Sequence, residues 1–283
     1  MSARLTVPKT YKLAIGGAFP RSESGRTYEV TTPKGVFLAN AAQASRKDAR
    51  DAVKAARTAQ SGWAKATAYN RGQVLYRVAE VLEGRRAQFV DEIMAQQGVS
   101  AAAAGAQVDE AIDLWVWYAG WCDKYAQVAG NLNPVAGAYF NISAPEPTGV
   151  VAIIAPQEDA LRGLVSVVAP ALVAGNAVVV VGSERFPLSA ISLAEVLATS
   201  DVPGGVVNVL TGSPAELAPW LASHADVNAL DLAGAGGIDW VDLQIAAADT
   251  LKRVLPPGEV VASPQRIAAF TEVKTVWHPK SMV

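Results

Sequence analysis

The chain has 283 residues, 51% of them hydrophobic and 18% charged, with 24 Lys and Arg against 26 Asp and Glu for a net charge of −2. Charge this sparse beside so much apolar content excludes disordered and fibrous classes, and the length predicts one large domain or one with a satellite. Without a basic surplus to neutralise phosphates, no nucleic-acid partner is expected. The lone cysteine, Cys122, excludes a disulfide framework and a paired-cysteine metal site, and His224 and His278 are too few for a histidine-based centre, so no metal is expected.

The first residues, MSARLTVPKTYKL, lack the apolar run of a signal peptide, which predicts a cytoplasmic location. Residues 11–40 read as a small strand-and-turn segment, with a strand over 11–15, a turn at Gly16-Gly17 and a polar stretch at 21–26. Ser45-Arg-Lys-Asp48 resembles a capping box with Asp for the usual Glu or Gln, ahead of a helix carrying Ala49, Ala52, Val53 and Ala56. A second helix carries Val74, Leu75, Val78, Val81 and Leu82, runs on through Phe89, Val90 and Ile93, and stops at Gly98. A third places Val108, Ala111, Ile112, Trp115, Tyr118, Ala119 and Cys122 on one stripe. A Gly/Asn/Pro turn at 130–134 and an extended stretch at 138–143 follow.

From Gly149 the rhythm changes. Short apolar strands start near Val150, Ala177, Val206, Val227 and Leu251, with helices at 161–173, 188–198, 215–223 and 238–248 between them. Residues 163–183 carry no charge, yet Pro170, the Gly175-Asn176 stop and the valines at 178–181 read as a buried helix and then a strand, not a membrane span. Apolar strands alternating with helices predict an α/β, Rossmann-like, doubly wound parallel sheet behind an N-terminal helical segment. Past Pro256-Pro257 that pattern ends, and the alternation in 270–277 suggests a last strand.

Such a sheet binds ligands at the C-terminal ends of its strands, which directs attention to loops 155–160, 182–186, 210–214 and 233–237. None holds GxGxxG; Gly234-Ala-Gly236-Gly237 is a weak phosphate signal and reads as a tight turn. Cys122, on a helical stripe with no histidine near it in sequence, reads as a structural thiol. His224 reads as a helix-end residue, His278 as a tail residue, and Glu158-Asp159 as a solvated acidic pair. Trp115, Trp117, Trp121, Tyr118 and Tyr125 crowd one helix, which means packing, though so many aromatics also suit an interface. The triplet Asn141-Ile-Ser143 is a chance glycosylation match. The sheet can host a nucleotide, but no catalytic constellation is visible.

Three stretches, EPTGVVAIIAP, ALVAGNAVVVVGSERFPLSA and SDVPGGVVNVLTG, resemble in order the dinucleotide-binding domain of the aldehyde dehydrogenase superfamily. SRKDARDAVKAARTAQSGWAKATAYNRGQVLYRVAEVLEGRR resembles that family's opening helices and AFTEVKTVW its C-terminal strand, so the likeness covers nearly the whole chain. It is most similar to the degenerate, shortened second module of the sixteenth aldehyde dehydrogenase family, where a complete enzyme module precedes the short copy. The resemblance implies a dinucleotide-binding-type domain over 1–130 and 149–258, with an oligomerisation hairpin and C-terminal strand over 131–148 and 266–283.

The departures from the family pattern bear on activity. Where active members have the oxyanion-stabilising Asn of PWN, this chain has Glu158. Losing one such donor costs about 2.7–4 kcal/mol, and a carboxylate there would repel the developing charge by about 4 kcal/mol at ~4 Å and an effective dielectric of ~20. The ribose-binding Lys of KPSE becomes Val181, with Ser183 and Glu184 kept; a charged hydrogen bond of roughly 1.5–3 kcal/mol is lost with it. Ala235 stands for the Ser of FTGS, and Pro257 falls near the general-base Glu. The domain carrying the nucleophilic Cys is absent, because about ten residues lead from the cofactor domain towards the last strand, and Cys122 precedes that domain. The resemblance therefore implies no catalytic residue, a vestigial cofactor site at Pro156, Ser183, Glu184, Gly212 and Gly234, and weak NAD or NADP binding with no cofactor required.

In the family the C-terminal strand joins a hairpin, here 138–144, into an oligomerisation sheet whose edge pairs with a neighbour's catalytic domain. Ala138, Phe140, Ile142, Thr271, Val273, Thr275 and Trp277 would form that surface. The expected partner is a full-length aldehyde dehydrogenase subunit in a hetero-oligomer, with a homo-oligomer as the variant and no membrane. A stand-alone NAD(P)- or nucleotide-binding sensor is the alternative reading, and a residual enzyme of unrelated chemistry the third.

Overall fold

The computed structural model describes residues 7–280, so the outermost residues of the expected domain ranges, 1–6 and 281–283, lie outside it. The expected strand over 11–15 does not form. Tyr11 bridges Ala41 while Ala14 exchanges hydrogen bonds with Val209 (2.8 and 2.9 Å), so this stretch is divided between two sheets and makes a ladder with neither. The regular hairpin lies further on, with strands β1 (Thr27–Thr31) and β2 (Phe37–Ala42) paired antiparallel.

Helix α1 (Arg46–Lys65) starts on the capping box. Ser45 Oγ accepts from Asp48 N (3.4 Å) and Asp48 Oδ2 accepts from Ser45 N (2.7 Å). The buried Asp48 carboxylate also accepts from Ser22 Oγ (2.8 Å) and Glu23 N (3.0 Å), so the aspartate caps the helix and holds the preceding loop. The expected long second helix is two, α2 (Ala68–Gly84) and α3 (Arg86–Gln97), because Arg85 leaves helical geometry and its guanidinium reaches Gln88 and Glu195 instead. Gly98, at φ +68°, ends α3 in the left-handed conformation that glycine tolerates.

Ser100 caps α4 (Ala101–Ala119), which takes in the alanine tract and stops short of Cys122; the thiol sits in the turn before α5 (Tyr125–Ala129). The 130–134 turn contains a short strand, β3 (Asn131–Asn133), paired antiparallel with β4 (Tyr139–Pro147), so the hairpin is longer than 138–144 and Ala138 lies in its turn.

The α/β half follows the expected alternation. In order come β5 (Val150–Ile154), α6 (Arg162–Val173), β6 (Ala177–Val181), α7 (Leu188–Ala198), β7 (Val207–Leu210), α8 (Pro214–Ser223), β8 (Ala229–Asp231), α9 (Trp240–Ala248) and β9 (Arg253–Leu255). The five strands form one parallel sheet in the order β7-β6-β5-β8-β9, a doubly wound arrangement with its switch point between β5 and β8. Alternate residues feed opposite faces. Val151, Ile153, Val178 and Val180 pack with α2, α3, α4, α6 and α7, while Val150, Ala152, Ile154, Val179 and Val181 pack with α1, α8 and α9. The uncharged 163–183 segment is thus a buried helix and strand, and among the described residues no helix is long and apolar enough to cross a membrane.

After β9 a short helix, α10 (Pro264–Ala268), precedes β10 (Thr271–Pro279). Strand β10 pairs antiparallel with β4 in the order β10-β4-β3, with Thr275 opposite Ser143 and Val276 opposite Ile142. Buried Asn176 joins the two sheets: Oδ1 accepts from Gly149 N (2.8 Å) and Nδ2 donates to Ala171 O and Phe270 O (both 2.9 Å).

Candidate functional site

Two surfaces stand out, the strand ends of the large sheet and the outer strand of the small one. At the strand ends the loops after β5 and β6 are tied together. Ser183 Oγ donates to Gln157 O (2.8 Å) and accepts from Phe186 N (3.1 Å), and Glu184 N donates to Gln157 Oε1 (2.9 Å). Gln157 Nε2 turns back to Ala155 O (2.6 Å). Glu158 projects into solvent and pairs with Arg185. Pro156 is half-buried, while the Glu184 side chain is exposed.

Gly234 lies flat on the end of β5. Its N–H donates to Ile154 O (2.9 Å), and a Cβ added there would stand 1.8 Å from Ala155 O. The backbone of the loop after β8 thus passes directly over the end of β5 at the switch point, and only glycine permits that approach. Gly212, at φ +121°, packs against Ala44 N and Gln43 rather than opening towards Gly234. The sequence pattern does not reveal Tyr28 of β1, which reaches this cluster; burial first, and then the Glu184 carboxylate, push its phenol above the ordinary range.

A second unforeseen pair lies beside them. Asp231, at the end of β8, is wholly buried and forms an ion pair with Arg266 of α10. Its Oδ1 also accepts from Ala233 N (3.1 Å). Burial pushes the Asp231 carboxyl up, against the downward pull of Arg266. Arg253 of β9 completes the connection: its guanidinium donates to Ala268 O, Ala269 O and Thr271 O (3.2, 3.2 and 2.6 Å) and pairs with Glu272 (2.7 Å). An acid ending the apolar run Ala-Leu-Asp was the available signal, but its partner lies 35 residues away. Pro257 sits half-buried in the segment between β9 and α10.

Cys122 is 3% exposed, its Sγ lies 3.7 Å from Tyr118 O, and burial pushes the thiol up to about 12, so it is protonated at neutral pH. It packs against Gly72 of α2 in a turn, not on a helical stripe. Among the aromatics, Trp115 and Tyr118 are fully buried, while Trp117 packs edge-on to Tyr118 (4.7 Å between centroids) and tilted to Trp121 (5.6 Å). His224 follows α8 and its Nδ1 accepts from Asp226 N (3.1 Å). His278 belongs to β10, opposite Phe140, and is no loose tail.

The small sheet presents the second surface. One edge of β10 pairs with β4, and among the described residues no strand lies along the other. Val273, Val276 and Trp277 on β10, Phe140 and Ile142 on β4 and Leu132 on β3 are all exposed, Trp277 at 58%. Trp277 stacks edge-on to Tyr139 (5.8 Å), and Thr275 shares a hydrogen bond with Ser143 (2.8 Å). Two of the expected surface residues sit elsewhere. Thr271 is buried against Tyr125 (3.0 Å between hydroxyl oxygens) because α10 brings it into the core, and Ala138 receives the N–H of Lys280 (2.8 Å) on its carbonyl from the hairpin turn.

The sequence profile described as "Aldehyde dehydrogenase family" matches residues 19–255. The chain belongs to the aldehyde dehydrogenase family. Relatives include cytosolic 10-formyltetrahydrofolate dehydrogenase of Mus musculus, 32% identical over 259 residues, covering 89% of this chain and 28% of that protein. Aldehyde dehydrogenase family 2 member B4 of Arabidopsis thaliana is 34% identical over 247 residues, covering 86% and 45%. Among solved structures, HpcC of Thermus thermophilus superposes with a TM-score of 0.81 at 30% identity, over 88% of this chain and 48% of that one. The NAD+ complex of a Bacillus cereus aldehyde dehydrogenase gives 0.80 at 27%, over 87% and 50%. The chain thus spans half or less of these relatives, as expected for a shortened module. It keeps the parallel sheet of an aldehyde dehydrogenase, about half of the Bacillus cereus relative's length has no counterpart in it, and residues 256–280, with α10 and β10, lie beyond the family match.

Proposed function

We propose that this chain is a catalytically inactive aldehyde dehydrogenase-family subunit that assembles with a full-length NAD(P)-dependent aldehyde dehydrogenase, which carries the oxidation of aldehyde to carboxylate. The observation that carries the reading is β10, a nine-residue strand with one edge unpaired among the described residues and apolar residues exposed along it. Such an edge is a template for another chain, and backbone pairing with side chains docking on alternate faces is the chemistry of β-augmentation. Inactivity is supported by Glu158 and Pro257 at positions where the family has its oxyanion donor and base, and by the buried, protonated Cys122. A dinucleotide entering the strand ends would first have to part the Gln157 bridges.

Size-exclusion chromatography with light scattering tests the assembly. The chain mixed with a full-length aldehyde dehydrogenase is expected to elute as one complex, and Val276→Lys, which places a charge on the exposed apolar face, is expected to abolish it without changing the melting temperature. Failure of the wild-type chain to co-elute at any salt concentration, or co-elution unaffected by Val276→Lys, would overturn the proposal.

A further inference from the structure

A groove of about 510 Å³ opens along the seam of α1 and α8, and none of the four strand-end loops contributes to its lining. Buried Ala49 and Leu221 make an apolar floor, Trp220, 40% exposed, forms a wall, and Arg46, Lys47 and Arg50 stand around the mouth. Among the described residues no carboxylate lines it. Lys47 pairs with Glu23 and Arg50 with its neighbour Asp51, but Arg46 makes no ion pair among the described residues. Its guanidinium instead lies 3.7 Å from the centroid of the Trp220 ring. Stacking occupies the flat face of a guanidinium and leaves its N–H edges directed outwards, where they can fork an oxyanion. His224, also in the lining, adds a donor. Because Nδ1 accepts from Asp226 N, the proton of the neutral ring is on Nε2.

We propose that this groove binds a planar organic oxyanion, its ring held between Trp220 and the apolar floor and its carboxylate or phosphate held by Arg46, with Lys47, Arg50 and His224 nearby. The volume lies within the range of about 300–1,000 Å³ usual for small-ligand sites. A chain of net charge −2 that gathers three cations around an apolar floor with no acid in the lining has made a local exception to its own surface. Carboxylates and phosphate esters share the recognition chemistry, and the test separates them.

Isothermal titration of the full chain with 2-naphthoate and, separately, with AMP reads the site. At least one probe is expected to bind with a stoichiometry of one and to weaken as salt rises. Binding of naphthoate alone assigns an aryl carboxylate, and binding of AMP alone a nucleotide phosphate. Arg46→Gln is expected to weaken the bound probe roughly ten- to a hundredfold. Trp220→Ala is expected to weaken it as well, while acetate, which has no ring, binds wild type and Trp220→Ala alike. Circular dichroism melts confirm that both variants remain folded. Absence of binding by both probes, or binding that survives Arg46→Gln and Trp220→Ala unchanged, would overturn the proposal; AMP held at the strand ends gives the latter result.

Discussion

Replacing Arg266 by methionine removes the charge facing Asp231 but keeps most of the volume that Arg266 fills in its largely buried position. Asp231 is completely buried at the end of β8, with the Ala233 amide as its remaining partner. Breaking a buried pair from one side costs about 3–5 kcal/mol, a large part of a typical total stability of about 5–15 kcal/mol. At about 2–4 °C per kcal/mol for chains approaching this size, the melting temperature should fall by roughly 6–20 °C. The loss should depend on pH in a defined direction. Burial raises the Asp231 carboxyl above its ordinary range, so between the unfolded-state value and the raised folded value the folded protein holds the extra proton, and stability falls as pH rises. Without Arg266 nothing comparable opposes that rise, so the deficit of Arg266→Met should be deepest at neutral pH and shrink on acidification. Urea denaturation of wild type and Arg266→Met at neutral and mildly acidic pH measures both effects. Asp231→Asn in the Arg266→Met background should recover more than half of the loss, because no unpaired charge is then left behind. An unchanged midpoint at neutral pH, or a deficit equal at both pH values, would refute a clamp built on an ion pair.

Other perturbations test neighbouring parts of the molecule. Cys122 should react with a disulfide reagent no faster than the protein unfolds, since its thiol is buried and held up to about 12; rapid modification of the folded chain would contradict this. Asn176→Ala leaves the buried Gly149 N–H without its acceptor, while Ala171 O and Phe270 O keep the N–H groups of residue 176 and Thr148, so a loss of about 1–3 kcal/mol is expected in chemical denaturation, with hydrogen exchange rising first at β10. Glu158→Asn, which restores the amide that the family carries there, should leave calorimetric titration with NAD and NADP flat, because the Gln157 bridges between the two loops persist; a measurable dissociation constant would count against this reading.

The parallel sheet was legible because its information is local. Four consecutive valines after Gly175-Asn176 can only be buried between helices, and Ser45 to Asp48 carries its cap within four residues. The single long second helix was misread because the break at Arg85 depends on Gln88 and on Glu195 of α7, and the strand at 11–15 because its hydrogen bonds are shared by two sheets. Family membership was equally readable, since the motifs of the strand ends are short and contiguous. The state of those strand ends was not. That Gly234 lies against Ala155 at the switch point, that Gln157 joins two loops 27 residues apart, and that Asp231 meets Arg266 are consequences of chain segments brought together only when the sheet closes. Alternation and capping act over a few residues and survive in a list of letters, whereas a buried charge finds its partner, and an edge strand its open side, only in the assembled packing of helices on both faces of the sheet.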